Sequence, residues 1–202
     1  LKMSKNLDNY VYMSSCSVYG NNSKLITEKS VTKPISLYSK LCLKFEKHLK
    51  KNLKRYSILR LGTLFGWSKR MRYDIAINKI IRDAVFTKRI DVLGGEQQRF
   101  FCYNKFACEV IYRIIKFKDK KLNNKIFNIG VFNTNIIDLS KKIIKLTKLK
   151  NVDLFHEKYS VDKRSYKVSL NTSKTFRSKN FNFEKYFNKC IIETFKHIKT
   201  DK

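Results

Sequence analysis

Glycine and proline are scarce in this chain. Its 202 residues include 6 Gly and 1 Pro, which excludes collagen-like, Gly/Pro-rich and linker-dominated architectures. No G-x-G-x-x-G turn between a strand and a helix occurs, so the usual sequence mark of a dinucleotide phosphate site is missing from these residues. Acidic residues are also few, 16 Asp+Glu against 45 Lys+Arg, for a formal net charge of +29. Such an excess can serve a polyanion partner. The lysines are spread along the whole chain, however, beside abundant Asn, Ile, Phe and Tyr. That distribution reads as the drift of an AT-rich coding sequence, and no specific nucleic-acid partner is expected. No apolar run reaches the roughly 18 residues of a membrane span, and the first residues lack the apolar core of a secretory leader. The five cysteines (Cys16, Cys42, Cys102, Cys108, Cys190) form no C-x-x-C pair and have no well-spaced His. A disulfide framework and a metal site are therefore not expected, and reduced, mostly buried thiols in a cytoplasmic protein are. His48, His156 and His197 are scattered among lysines and receive no catalytic role. The chain opens on Leu1 rather than Met, so a partial reading frame is expected.

What is present is an alternation of strands and helices. Residues 9–14 (NYVYMS), 56–61 (YSILRL) and 125–129 (KIFNI) are short apolar runs that read as buried strands. Pro34 and Ser36 announce a helix whose Leu37, Leu41, Phe45, Leu49 and Leu53 recur at i+4, one apolar stripe. Residues 20–32 are polar and read as a loop. Further helices are expected over 75–85, 106–117 and 138–149, the last with Asp138 as N-cap, and short strands over 90–93 and 152–155. This pattern predicts an α/β fold with a parallel sheet. Three good sheet strands are too few for a complete doubly wound domain.

Several motifs then occur in a recognisable order. VYMSSCSVYG (11–20) is followed by KPISLYSKLCLKFEKHL (33–49), ILRLGTLFGWSKRMRYDIAIN (58–78), GGEQQRFF (94–101), IFNIG (126–130) and VDKRSYKVS (161–169). As a set these resemble the active-site region and substrate side of the extended short-chain dehydrogenase/reductases, specifically the NAD-dependent nucleotide-sugar epimerases and dehydratases. All six glycines and the proline fall inside these motifs. Glycine permits φ > 0 and close backbone approach, which loops beside a cofactor need.

The resemblance implies a partial Rossmann-type parallel sheet, made of late strands only, with a smaller α+β substrate-binding lobe. Residues 1–68 would be the remnant of the dinucleotide-binding domain, rejoined by the strand 126–130, and residues 69–202 the nucleotide-sugar lobe. It also implies NAD as cofactor, although binding by this chain alone is not expected without the glycine turn. The substrate would be a nucleotide-linked sugar. The partner would be a polypeptide carrying the missing front half, or a second copy of this chain. By position in the motif, Tyr38 corresponds to the family's base and Ser15 to its hydroxyl partner, both beside the cofactor. A phenol with a pKa of about 10 needs nearby positive charge to act near neutrality, and in the family a lysine four residues on provides it. Here that position is Cys42, a neutral thiol. Lys40 and Lys44 lie about 200° and 240° around the helix from Tyr38, at ~100° per residue, and do not replace it. Arg99 and Arg164 stand where the family places arginines on the nucleotide's phosphates or ribose. Thr63, Tyr73 and Asn78 are candidates for the sugar pocket. The expected activity is epimerase or dehydratase chemistry, in a fragment or degenerate copy inactive on its own. The alternative is a non-enzymatic basic protein that binds nucleic acid or another polyanion.

Overall fold

A computed structural model of the chain describes residues 10–117, 120–158, 164–178 and 180–200. Asn9 and residues 161–163 of the last motif lie outside the described residues. The order is β1 (Tyr10–Ser15), a 3-10 turn (Cys16–Tyr19), β2 (Asn21–Ile26), α1 (Leu37–Asn52), β3 (Tyr56–Leu61), β4 (Thr63–Phe65), α2 (Ala76–Phe86) and β5 (Arg89–Leu93). Then follow β6 (Gln98–Tyr103), α3 (Asn104–Phe117), β7 (Lys125–Ile129), β8 (Phe132–Asn135) and α4 (Ile136–Thr147). The chain finishes through β9 (Asp153–Glu157), β10 (Ser165–Val168), the short α5 (Asn171–Lys174) and α6 (Phe183–Thr200).

The three apolar runs pair in parallel as expected, in the order β1-β3-β7. Tyr10 sits opposite Tyr56 and Ser15 opposite Leu61, and Ile58 opposite Ile126. Among the described residues β1 is an edge of this sheet. Helix α1 packs on β1, β3 and the 3-10 turn, capped by Ser36, whose hydroxyl accepts from the Ser39 amide.

Three sequence expectations are corrected. Residues 20–32 are not all loop, because β2 pairs in parallel with β10. Most of β2 is solvated, so it shows none of the apolar alternation by which a half-buried strand is recognised. The core face of α1 is not the Leu37–Leu53 stripe. Ser39, Cys42, Glu46 and Leu49 are buried, while Leu37 and Leu41 are 74% and 55% exposed. A strict i+4 series drifts about 40° per step around the helix and cannot hold one face over four steps. Finally, Asn135 rather than Asp138 caps α4: its carboxamide accepts from the Asp138 amide and donates to the Asp138 carboxylate.

The buried side chains form two clusters. The larger joins β3, β6 and β7 to α2, α3, α4 and α6, with Phe187 stacked on Phe132 at 4.4 Å and edge-on to Phe65 at 5.5 Å. The smaller is built from Cys16, Val18, Tyr19, Ile26, Cys42, Phe100, Tyr166 and Val168. It lies under the β2–β10 ribbon, so residues on both sides of position 68 share one core. Phe100 is held between two glycines. A Cβ at Gly130 would lie 2.4 Å from its ring and one at Gly62 would lie 2.7 Å from its carbonyl oxygen, so both positions require the absent side chain.

Candidate functional site

Strand β1 delivers Ser15 to the carboxyl end of the sheet, where ligands of open α/β sheets bind. There the chain breaks into the 3-10 turn with Ser15 as its cap. The Ser15 oxygen accepts from the Ser17 amide at 3.1 Å and the Ser17 hydroxyl at 2.9 Å. Tyr38 stands in the first turn of α1, 60% exposed, with Cys42 buried one turn behind it. The thiol interacts with two phenols, Tyr38 and Tyr12 of β1. Burial first, and then Cys42, push the Tyr38 phenol above its ordinary value. Tyr12 moves the same way for the same causes. A tyrosine serving as a base at neutral pH needs a shift in the opposite direction. In this environment Tyr38 is a protonated hydroxyl, able to donate a hydrogen bond and to accept one.

A cavity of 730 Å³ opens in front of Tyr38. Tyr38, Thr63, Arg99 and Arg164 line it together. Arg99 is buried on β6, and its guanidinium donates to the Gln98 carbonyl and to the Arg164 carbonyl. It therefore ties the strand to the segment entering β10 while facing the cavity. The remaining candidates lie outside that lining. Ser15 is committed to its turn. Asn78 is buried, accepting from the Gly66 amide and donating to the Arg72 carbonyl. Tyr73 packs at the border of the large core, with the Arg82 guanidinium 5.8 Å from its ring centre.

Sequence reasoning missed other charged groups at the cavity. Arg72 forms a two-pronged pair with Asp74 at 2.7 and 2.6 Å, which draws the exposed Asp74 carboxyl down to about 2. Lys79 pairs with Asp83, which also receives Arg82. The R-M-R-Y-D run and the i, i+4 spacing of Lys79 and Asp83 were the available signals. Also missed was a buried network behind the site. Arg60, 3% exposed and next to last in β3, donates through Nε and Nη2 to both oxygens of Glu46, which is 1% exposed. The Ser14 hydroxyl donates to the same carboxylate at 2.6 Å. Arg60 Nη1 donates to the Tyr19 hydroxyl at 2.8 Å, and Tyr19 donates to Asn128 at 2.8 Å. One network thus joins β1, the 3-10 turn, α1, β3 and β7. Its signal was an arginine inside an apolar strand, and a single acid in a lysine-rich helix. Among the described residues no group of three or more potential metal ligands is found, and no helix is long and apolar enough to cross a membrane.

The geometry can be set beside known proteins. Residues 2–130 match the sequence profile of the NAD dependent epimerase/dehydratase family. An uncharacterized protein of Methanocaldococcus jannaschii is 34% identical over 131 residues, 61% of this chain and 39% of that protein. The crystal structure of UDP-glucuronic acid 4-epimerase from Bacillus cereus, in complex with UDP-glucuronic acid and NAD, superposes with a TM-score of 0.76 at 23% identity. It covers 96% of this chain and 63% of that one. The dTDP-glucose 4,6-dehydratase of Bacillus anthracis, solved in complex with NAD, gives a TM-score of 0.76 at 19% identity, over 95% of this chain and 62% of that one. These likenesses concern the fold, and the chain spans less than two thirds of each relative's length. A profile match over more than half the residues, carried on the parallel β1-β3-β7 sheet with its Ser15 and Tyr38 motifs in order, establishes that this chain belongs to the NAD-dependent epimerase/dehydratase family.

Proposed function

We propose that this chain supplies the substrate half of an epimerase or dehydratase acting on a nucleotide-linked sugar, and that by itself it does not turn over. The observation that carries the reading is the convergence of Tyr38, Thr63, Arg99 and Arg164 on one 730 Å³ cavity. That volume suits a small ligand, and guanidinium groups suit its phosphates because they donate in pairs. In this reading Arg164, with Arg99 behind it, holds the phosphates. The Tyr38 and Thr63 hydroxyls meet the sugar. The mixed charge of the lining, with Asp74 and Asp83 beside the cations, favours a defined ligand over a generic polyanion.

The residues present do not fit NAD unaided. At the position where the family has a lysine, Cys42 offers a buried neutral thiol, which cannot donate the N–H bonds that hold a ribose. No glycine turn is present among the 202 residues to receive a pyrophosphate. When bound, NAD would supply a hydride acceptor. What the chain's own residues do is orient a sugar hydroxyl against Tyr38 and hold the nucleotide. This reading assigns no dinucleotide site to these 202 residues.

Calorimetric titration of the purified chain tests this. UDP-glucose or dTDP-glucose should bind saturably, and Arg164→Ala should weaken that binding by about 1.5–3 kcal/mol, the range for hydrogen bonds to charged groups. NAD should show no saturable micromolar binding, and no epimerase or dehydratase turnover should be seen. Micromolar binding of NAD, or sugar-nucleotide binding indifferent to Arg164, would overturn the reading.

A further inference from the structure

A cavity of 610 Å³ lies between α3 and the segment that follows α5, and it shares no lining residue with the one in front of Tyr38. Glu109, Tyr112, Arg113, Phe117 and Arg177 line it. Glu109, Arg113 and Phe117 recur at i+4 along α3 with Tyr112 beside them, so one side of the helix forms a wall. Arg177 comes from the facing segment. Arg113 is exposed and ties the two walls together, because its Nη1 donates to the Phe176 carbonyl at 2.9 Å. Its other N–H groups meet no acceptor among the described residues. Arg177 is fixed in place. Its Cζ lies 4.6, 4.8 and 5.1 Å from the ring centres of Phe106, Phe181 and Tyr186, and its Nη2 meets Glu109 Oε2 at 2.6 Å. Its Nε is buried without a partner among the described residues. Buried donors are nearly always satisfied, and one that is not calls for an acceptor. Two rings complete the lining, Tyr112 at 57% exposed and Phe117 at 65%. The Lys116 ammonium stands 5.3 and 5.8 Å from their centres.

We propose that this cavity binds a small anion carrying a flat ring, the shared chemistry of an aryl phosphate and an aryl carboxylate. Arg113 supplies the anion contact, because a guanidinium offers N–H donors in a fork that matches phosphate and carboxylate oxygens. The rings of Tyr112 and Phe117 supply contact for the flat ring. Charge agrees with this occupant. Arg113, Lys116 and Arg177 stand against the single carboxylate of Glu109, which Arg177 already neutralises. Size agrees as well. The volume suits a small ligand, and α3 runs about 12 Å from Glu109 to Phe117 at 1.5 Å per residue, the length of one such molecule. A duplex needs basic groups spread along several phosphates instead. The occupant also reaches the sheet. Phe176, whose carbonyl Arg113 holds, packs edge-on to Phe127 of β7 at 5.7 Å. Ser173 of α5 donates to the Asn128 carbonyl and accepts from the Gly130 amide. Binding therefore braces the segment 173–177 against β7. The inference goes beyond the proposed function and does not rest on it.

The test titrates the full chain with phenyl phosphate, benzoate and inorganic phosphate, read by calorimetry and by backbone amide NMR shifts. The expected result is saturable binding of phenyl phosphate or benzoate, at least tenfold tighter than inorganic phosphate, with the shifts centred on 109–117 and 173–177. The order of the two aryl ligands identifies the preferred anion, and either order supports the site. Arg113→Ala should weaken the tighter ligand at least tenfold. Arg113 also holds the Phe176 carbonyl, so two variants that leave that bond in place accompany it. Tyr112→Ala should weaken the aryl ligand at least threefold and leave inorganic phosphate unchanged. Glu109→Gln, which removes the one carboxylate of the lining, should tighten the aryl ligand. Arg164→Ala, in the other cavity, should change nothing. Four outcomes would each overturn the proposal: no saturable binding, equal affinity for the aryl ligands and inorganic phosphate, binding lost with Arg164→Ala, or binding indifferent to Arg113→Ala and Tyr112→Ala alike.

Discussion

The lobe built on α2, α4 and α6 and the sheet segment built on β1, β3 and α1 hold together by different means. In the lobe the helices pack on one another and on β8, and Phe65, Phe101, Phe132 and Phe187 meet ring to ring. The sheet segment is locked by charge. The Glu46–Arg60 pair and its hydroxyl partners occupy the face of α1 where apolar side chains would otherwise sit. Apolar burial is non-directional, with a modest added preference of aromatic rings for stacked or edge-on contact. A buried ion pair contributes little net stability against apolar replacements, but losing one partner strands a charge. The lobe's architecture is thus expected to degrade gradually under substitution, and the sheet segment abruptly.

Removing half of the pair is the sharpest way to break that contrast. Glu46→Ala should destabilise the chain by about 3–5 kcal/mol, whereas the double variant E46L/R60M, which replaces both charges with apolar side chains, should recover most of it. Phe187→Ala should cost about 3–5 kcal/mol through a cavity. Urea unfolding gives the totals, and amide exchange gives the location. The ion-pair variant should open residues 10–61 first and the cavity variant 76–147 and 183–200. Uniform opening in both would mean one cooperative unit and dissolve the comparison.

A smaller effect concerns Tyr38. Cys42→Lys introduces an ammonium one helical turn away, which should bring the Tyr38 phenol down. Difference absorbance of wild type, Cys42→Lys and Tyr38→Phe near 295 nm isolates that phenol. If the proposed function holds, no turnover should follow in this chain alone. In an enzyme completed with a dinucleotide side the rate near neutrality should rise. An unmoved Tyr38 titration would show that Cys42 does not govern it.

The smallest effect is alkaline. Burial pushes Tyr19 up to about 12, opposed by Arg60. A phenol raised in the folded state favours folding fully below its unfolded value of about 10, and that contribution is lost as pH rises through the folded value. Stability measured by thermal melts should therefore fall between pH 10 and 12, and Tyr19→Phe should flatten that slope. Tyr19→Phe also removes the hydroxyl from the network, so its stability below pH 10 should be lower than wild type.

The parallel sheet was readable because buried parallel strands are continuous apolar runs bounded by polar turns; YSILRL and KIFNI are examples. Strands β2 and β10 were not, since NNSKLI and SYKV become strands only through each other. Helix α6 escaped notice although Phe183, Phe187, Cys190, Ile191, Thr194 and Ile198 are buried at helical spacing. Lysines between those positions mask the stripe. At the site, motif order identified residues that line one cavity, Tyr38, Thr63, Arg99 and Arg164. It did not identify Arg72 or Lys79, whose relevance depends on where α2 lies in space. Nor could it separate residues facing the cavity from Asn78, whose carboxamide is spent on the backbone around Gly66 and Arg72.

The β2–β10 ribbon also sets an order of events during synthesis. Glu28, just past β2, accepts from the hydroxyl of Thr172, 144 residues further along the chain, and Tyr166 and Val168 supply part of the small core. That core cannot close until residues 165–168 have been synthesised. Contacts of such sequence separation form late, after the entropy of closing a long loop has been overcome. During that interval Tyr19, Ile26 and Phe100 lack their cover while β1 is already complete. The nascent chain therefore carries an uncovered apolar surface until the ribbon forms, and a chaperone that covers it early would shield the segment most prone to misassembly.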